Sequence, residues 1–253
     1  MLLWYVACKT PEVAPRDLDQ ILHDTWVHYD AQDDDALAAD MRDLRAVVDE
    51  STPSEGTFSD ITDEEVALAG LDREIDAEGV LGMYTIGTVG CTPDEMERIL
   101  LATNQDELYE GNYTSYQRDY TSSLDDFTAR VTPHLSWDTT YAVDIPLFGA
   151  YTADIAGGMH YTPDGGDGPY LFSRTIMPEP ADGEPDTVVF DVDLQIEALY
   201  PHDGGMVHLF GMWRHIALAG GFGTDSDGSV QLILDGLHDF DDDTTAICDE
   251  GRI

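Results

Sequence analysis

The sequence predicts an α+β fold: a curved antiparallel sheet covered by a C-terminal helix, with an N-terminal helical hairpin. Three observations carry this. Residues 187–200 read TVVFDVDLQIEALY, where Val188, Phe190, Val192, Leu194, Ile196, Ala198 and Tyr200 alternate with Asp191, Asp193, Gln195 and Glu197. Strict alternation marks a half-buried antiparallel strand. Residues 228–248 place Val230, Ile233, Leu234, Leu237, Phe240 and Ile247 on one helical stripe. Between residue 80 and that helix, alternating runs are separated by turns such as TPDGGDGP and YPHDGG, which suit hairpin connections.

Taken in order, residues 16–50 form the hairpin. Leu18, Ile21, Leu22, Trp26 and Tyr29 recur at helical spacing, as do Leu37, Met41, Leu44 and Val48. The acidic run Asp33-Asp34-Asp35 caps the second helix. Residues 51–60, rich in Ser, Thr, Pro and Gly, read as a linker. Thr62 and Glu65 form a capping box for a short helix carrying Val66 and Ala69. Residues 83–89 read as a strand. Thr92-Pro93-Asp94-Glu95 then starts a helix whose apolar face is Met96, Ile99 and Leu100. Short helical pieces follow near 105–110 and 123–131. The remaining strands are 135–144, 151–162, 169–178, 187–200 and 206–218. A sheet with an apolar face needs a cover, and the last helix is the only element long enough to supply it. The chain divides into 1–15, an anchor and tether; 16–79, the N-terminal helical segment; and 80–253, the α+β domain.

The chain has 253 residues, 42% of them hydrophobic, enough for a sizeable core. Fifty-two acidic residues against 11 basic ones leave a net charge of −41. Such a surface repels phosphate backbones, so no nucleic-acid partner is expected. It also repels anionic headgroups, so membrane attachment would be covalent or hydrophobic. Lys9 is the only lysine. Dense carboxylate with almost no lysine suits a halophilic setting, where counterions screen self-repulsion.

The opening MLLWYVACKT ends its apolar run at Cys8. Val6-Ala7-Cys8 resembles the lipobox of bacterial lipoprotein signals, with Lys9-Thr10-Pro11 as the start of a tether. Tyr5 stands where leucine is usual and no basic leader precedes the run, so the resemblance implies a start codon further upstream. The competing reading is an N-terminal strand with a buried thiol. The lipobox reading makes Cys8 the lipidation site and the protein exported, lipid-anchored in the cell envelope or periplasm. It also leaves Cys91 and Cys248 as an even pair that an oxidising compartment could join.

The order of elements from 80 to 248 resembles the helix-grip fold of the START and Bet v 1-like superfamily. That resemblance implies a sheet wrapped around the C-terminal helix and an apolar ligand held between them. The segments YEGNYTSYQRDYTS, YLFSRTIMPEP, VDLQIEALY and VHLFGMWRH are similar to those of a family of uncharacterised lipoproteins from myxobacteria and relatives. In that family one cysteine follows the first strand and another ends the last helix. The resemblance therefore implies a Cys91–Cys248 disulfide, and implies no activity.

No motif names a reaction. G-x-S-x-G, H-E-x-x-H and C-x-x-C are all missing from the sequence, and no metal or cofactor is expected. Asp225-Ser226-Asp227-Gly228 has its glycine two places too early for a calcium loop. Asn112-Tyr113-Thr114 is a glycosylation sequon only where the host has the machinery. His160 and His208 fall on strands, where a lone histidine is usually structural. Arg174 and Arg214 are the only arginines between 131 and 251. Arg174 shares a strand face with Phe172, and Arg214 shares one with Phe210 and Met212. These five residues are the candidate ligand contacts, the arginines holding an anionic head; the alternative is cross-strand pairing with Asp191, Asp193 or Glu197.

The leading functional expectation is an exported lipoprotein, not an enzyme, that binds a lipid or other apolar or amphipathic small molecule. The rivals are an envelope protein-interaction module, its partner unknown and its docking element the hairpin, and a cyclase- or hydrolase-like enzyme. Cavity content discriminates. A solid core favours interaction, a dry apolar tunnel favours carriage, and an open pocket with converging polar groups favours catalysis. The charge yields its own prediction: the unfolding midpoint rises in molar NaCl or KCl as carboxylate repulsion is screened. A flat or falling midpoint in a thermal-melt salt series would give the acidity another cause.

Overall fold

The computed structural model describes residues 16–48, 52–71, 73–75, 77, 79–145, 149–163, 169–183, 188–218 and 227–253. Cys8 with the whole of 1–15, and Asp225-Ser226, lie outside them. Helices α1 (Leu18–Ala31) and α2 (Asp34–Val47) form the expected hairpin. Asp17 and Asp33 cap them by accepting from the amides of Gln20 and Ala36. Strand β1 (Glu55–Phe58) follows, inside the stretch that reads as a linker. Its four residues are too few and too polar to show alternation, and pairing with the next strand supplies their order.

Helix α3 (Asp63–Leu68) has its Thr62/Glu65 capping box, and β2 (Leu81–Val89) leads to α4 (Pro93–Leu101), boxed by Thr92 and Glu95. Then come α5 (Gln105–Leu108), β3 (Ser115–Tyr120), α6 (Leu124–Thr128), β4 (His134–Ile145), β5 (Gly149–Thr162), β6 (Tyr170–Ile176), β7 (Asp182–Gly183), β8 (Val188–His202), β9 (Gly205–Leu218) and α7 (Asp227–Glu250). The strands make one antiparallel sheet in the order β1-β2-β9-β8-β6-β5-β4-β3, with β7 beside β5. The fold is thus the α+β, helix-grip-like arrangement the sequence predicts, with α7 across one face and the hairpin present.

The layers differ from expectation in one respect. The apolar face of β8 is covered by the hairpin and not by α7. Leu194, Ile196, Ala198 and Tyr200 share a core with Ile21, Leu22, Trp26, Leu37, Met41 and Leu44. Two helices laid side by side present more apolar surface than one, so they take the more apolar face. Trp26 and Trp213 meet edge to face at 5.6 Å, and their indole N–H groups donate to the carbonyls of Glu65 and Ser59. Gly158 allows the close approach, because a Cβ there would lie 2.6 Å from the Tyr29 hydroxyl. A bulge between Phe190 and Val192 breaks the alternation. It turns Phe190 to the α7 side, against Ala153 and Met177, while Val192 stays under the hairpin.

Helix α7 packs its stripe on the opposite face. Leu234 meets Met83 and Met212; Ile247 joins Val89, Cys91, Leu199 and Met206. Cys91 and Cys248 are disulfide-bonded, with Cα atoms 5.5 Å apart across a sequence separation of 157. The bond ties the residue just after β2 to the last turn of α7. On the chain-entropy account a loop of this length stabilises the fold by up to about 5 kcal/mol. Reduction, or the Cys91→Ser/Cys248→Ser pair, should therefore lower the urea midpoint substantially. An unchanged midpoint in reducing urea would show that the bond does not restrain the unfolded chain.

Candidate functional site

The site grows from the polar half of the β8 alternation. Asp193, Gln195 and Glu197 point away from the hairpin, toward α7. On β9 the same side carries His208, Phe210, Met212 and Arg214, and on β6 it carries Ser173 and Thr175. A floor of charged and hydroxyl groups therefore lies beneath the helix. Register pairs these groups: Asp193 stands opposite Arg214, and the Arg214 guanidinium donates to Asp193 Oδ2 at 2.6 Å, with Gln195 donating to the same oxygen at 2.9 Å.

A second network joins floor to roof. His208 Nδ1 lies 2.6 Å from Asp241 Oδ1 of α7, and His208 Nε2 lies 3.2 Å from Glu197 Oε2. All three side chains are buried. Burial alone would push His208 down, but the charges and hydrogen bonds of Asp241 and Glu197 raise it to about 10. The ring is thus an imidazolium with both N–H groups committed. Gly87 makes this possible, since a Cβ there would sit 2.0 Å from Asp241 Oδ2.

Between floor and roof is a cavity of about 350 Å³. Tyr116, Arg118, Trp137, Tyr141, Tyr151 and Ile155 form its side wall on β3, β4 and β5. Tyr109 and Tyr113 close it after α5, and Leu237 and Phe240 of α7 roof it. Arg118 lies 4.4 Å from the Trp137 ring centre and donates to the Leu100 carbonyl and the Tyr116 hydroxyl. Tyr109 stacks on Phe240 at 4.4 Å and bonds Thr244 at 2.9 Å. Burial pushes the phenols of Tyr109, Tyr113, Tyr141 and Tyr151 up, so they stay protonated hydrogen-bond donors at neutral pH. Arg118 Nε, Arg214 Nε and Asp193 Oδ1 are buried with no hydrogen-bond partner among the described residues. Each such atom costs about 1–3 kcal/mol.

The five candidate contacts separate. Arg214 and Phe210 line the cavity, while Met212 packs beside it under Leu234. Phe172 and Arg174 are on the other face, Phe172 in the hairpin core and Arg174 over the rings of Trp26 and Tyr29, paired with Asp30 at 3.2 Å. The two arginines therefore do not converge on one ligand head. Sequence alternation shows which residues share a face within a strand, but not how the faces of two distant strands correspond. Tyr116 and Arg118 sit on β3, which reads as polar with an aromatic alternation too short to mark a strand, while Tyr109, Tyr113, Tyr141 and Tyr151 come from the end of α5, the segment after it, β4 and β5, and no local pattern links them. Among the described residues one group could hold a metal: Asp34, His134 and His160, on the hairpin side. Residues 100 positions apart give no motif.

The His208 network makes a pH prediction. A folded value raised above the ordinary one means stability present below about pH 6.5 and lost as pH rises through about 10. The His208→Gln variant should lose about 3–5 kcal/mol at pH 7, because two buried carboxylates lose their cation. It should also lack the decline that the parent shows between pH 6.5 and 10. Parallel slopes in urea melts across that window would refute the assignment.

No family model matches the chain, and no curated protein matches it. Several solved structures are similar in shape. Human StAR-related lipid transfer protein 5 is 10% identical, with 89% of this chain and 99% of that one covered and a TM-score of 0.48. A fragment of the STAR-related lipid transfer protein from Xanthomonas axonopodis is 11% identical over 72% and 92%, with a TM-score of 0.38. The lipid transfer and protein localization domain of human StarD13 (DLC2) is 13% identical over 69% and 78%, with a TM-score of 0.39.

Proposed function

We propose that the chain is an exported, lipid-anchored binding protein that holds an amphipathic small molecule between its sheet and α7. The observation that carries this reading is the two-sided chemistry of the cavity. Trp137, Ile155, Phe210, Leu237 and Phe240 offer an apolar and aromatic body site. Ser173, Thr175, Gln195, Glu197 and Arg214 offer a polar floor. A ligand with a hydroxyl or carbonyl head can hydrogen-bond to that floor beside its internal pairs, whereas a purely apolar ligand gains nothing from it. The protonated tyrosines suit a hydrogen-bond-accepting head. Export and anchoring rest on the lipobox-like Val6-Ala7-Cys8 and on the resemblance to myxobacterial lipoproteins, and the disulfide suits an oxidising compartment.

One observation favours a second reading, an enzyme on the same scaffold: polar groups converge in an accessible cavity. His208, however, the group beside that cavity best suited to proton transfer, does not line it and has both nitrogens held by carboxylates. The interaction-module reading is weakened because the hairpin's apolar face is occupied by the sheet.

Native mass spectrometry of protein purified from its envelope, followed by organic extraction, tests the binding reading. The expected result is a bound amphipathic species, absent from a Thr175→Trp variant whose indole fills the cavity. Empty protein whose Trp137 fluorescence ignores a panel of lipids and sterol-like molecules would refute it. Cys8→Ser should move the protein from the membrane to the soluble fraction. A soluble parent with a free Cys8 thiol would end the anchoring proposal.

A further inference from the structure

On the hairpin side of the sheet, away from the cavity, three metal-ligating side chains meet. His134 of β4 and His160 of β5 are directly opposed across the ladder, and Asp34 opens α2. His160 Nδ1 lies 3.2 Å from His134 Nδ1 and 3.7 Å from Asp34 Oδ1, and His134 Nε2 lies 3.0 Å from that same oxygen. We infer that Asp34, His134 and His160 form a site for a divalent transition-metal cation of the zinc class, with a fourth position open to solvent.

Four features support it. Zinc bonds of about 2.0–2.1 Å place tetrahedral ligand atoms about 3.3 Å apart, and one ligand atom from each of Asp34, His134 and His160 lies within 4.8 Å of the other two, so a turn of the His134 ring can bring a single nitrogen to the ion. Two imidazoles and a carboxylate are also a donor set that such ions prefer. The second feature is proton count. When His160 Nε2–H donates to Thr162 Oγ1, 3.0 Å away, its Nδ1 presents a lone pair. His134 faces both that lone pair, through its Nδ1, and the Asp34 carboxylate, through its Nε2. A bound cation satisfies all three acceptors at once. The third is the Thr162 bond itself, the outer contact that orients a ligating imidazole. The fourth is access. His134 lines an open cavity of about 480 Å³ with Tyr29, Asp30 and Gln32, and the Arg174 charge there is already paired with Asp30.

The site would bridge the first turn of α2 to two sheet strands, so the ion would clamp the hairpin to the sheet. The test uses the purified full chain, stripped with chelator and held in molar NaCl to suppress loose binding by surface carboxylates. Titration with Co²⁺ should produce the visible bands of a nitrogen-ligated tetrahedral ion at one equivalent, and Zn²⁺ should displace it. Zn²⁺ should also raise the melting midpoint. His134→Asn and Asp34→Asn should abolish both responses, and Thr162→Val should weaken Zn²⁺ about 10–100-fold in a competition assay. Exposed Asp34 can be replaced without disturbing the core, so the test survives if a histidine variant misfolds. Absent bands in the parent would overturn the inference. So would bands of equal strength in Asp34→Asn and His134→Asn, which would place the ion elsewhere.

Discussion

The packing of two N-terminal helices on the apolar face of the sheet is the contact on which the rest depends. It buries the side of β8 that would otherwise demand a hydrophobic cover, with Trp26 and Trp213 locked edge to face between the layers. With that face filled, α7 is free to sit over a mixed surface and need not match it everywhere. It makes apolar contact at Leu234 and Ile247 and leaves a gap around Leu237 and Phe240. A helix forced to cover the apolar face would have closed on it at the density of a protein interior, leaving no cavity.

Charge follows the same division. Arg130, Arg174 and Arg214 each pair with a carboxylate and stack on a ring. Arg16 binds Asp24, Asp40 and Asp43 and so joins the two hairpin helices. Arg130 pairs with Glu97 and lies 3.7 Å from the Tyr161 ring centre. Arg118 and Arg214 serve the cavity wall. In a chain of net charge −41, Arg16, Arg118, Arg130 and Arg214 thus sit at joints between elements.

Much of the fold was legible because its signals are local. Caps at Asp33, Thr62 and Thr92 mark helix starts, and the alternation in 187–200 marks a strand, whatever lies around them. Strands β1 and β3 were not legible, since short polar segments become strands only by pairing with a neighbour. The site was legible in part. Arg214 and Phe210 could be read because they share a strand face with other striking residues. That Arg174 lies behind the sheet, and that His134 meets Asp34, depends on which layer covers which face. The bulge at Asp191 shows the same limit in one residue, reversing a face that simple counting assigns.

The pairing of β2 with β9 joins residues 81–89 to 206–214 near one edge of the sheet. No stretch of chain shorter than this span can close the sheet, and loop closure must precede the contacts that reward it. During synthesis, the ribosome releases β2 long before β9 exists, and the residues that follow β9 carry both the roof helix and Cys248 of the disulfide. The nascent chain consequently remains open for most of its production. An open chain is the form that a narrow translocation pore can thread, so late closure of the sheet and passage across a membrane are mechanically compatible.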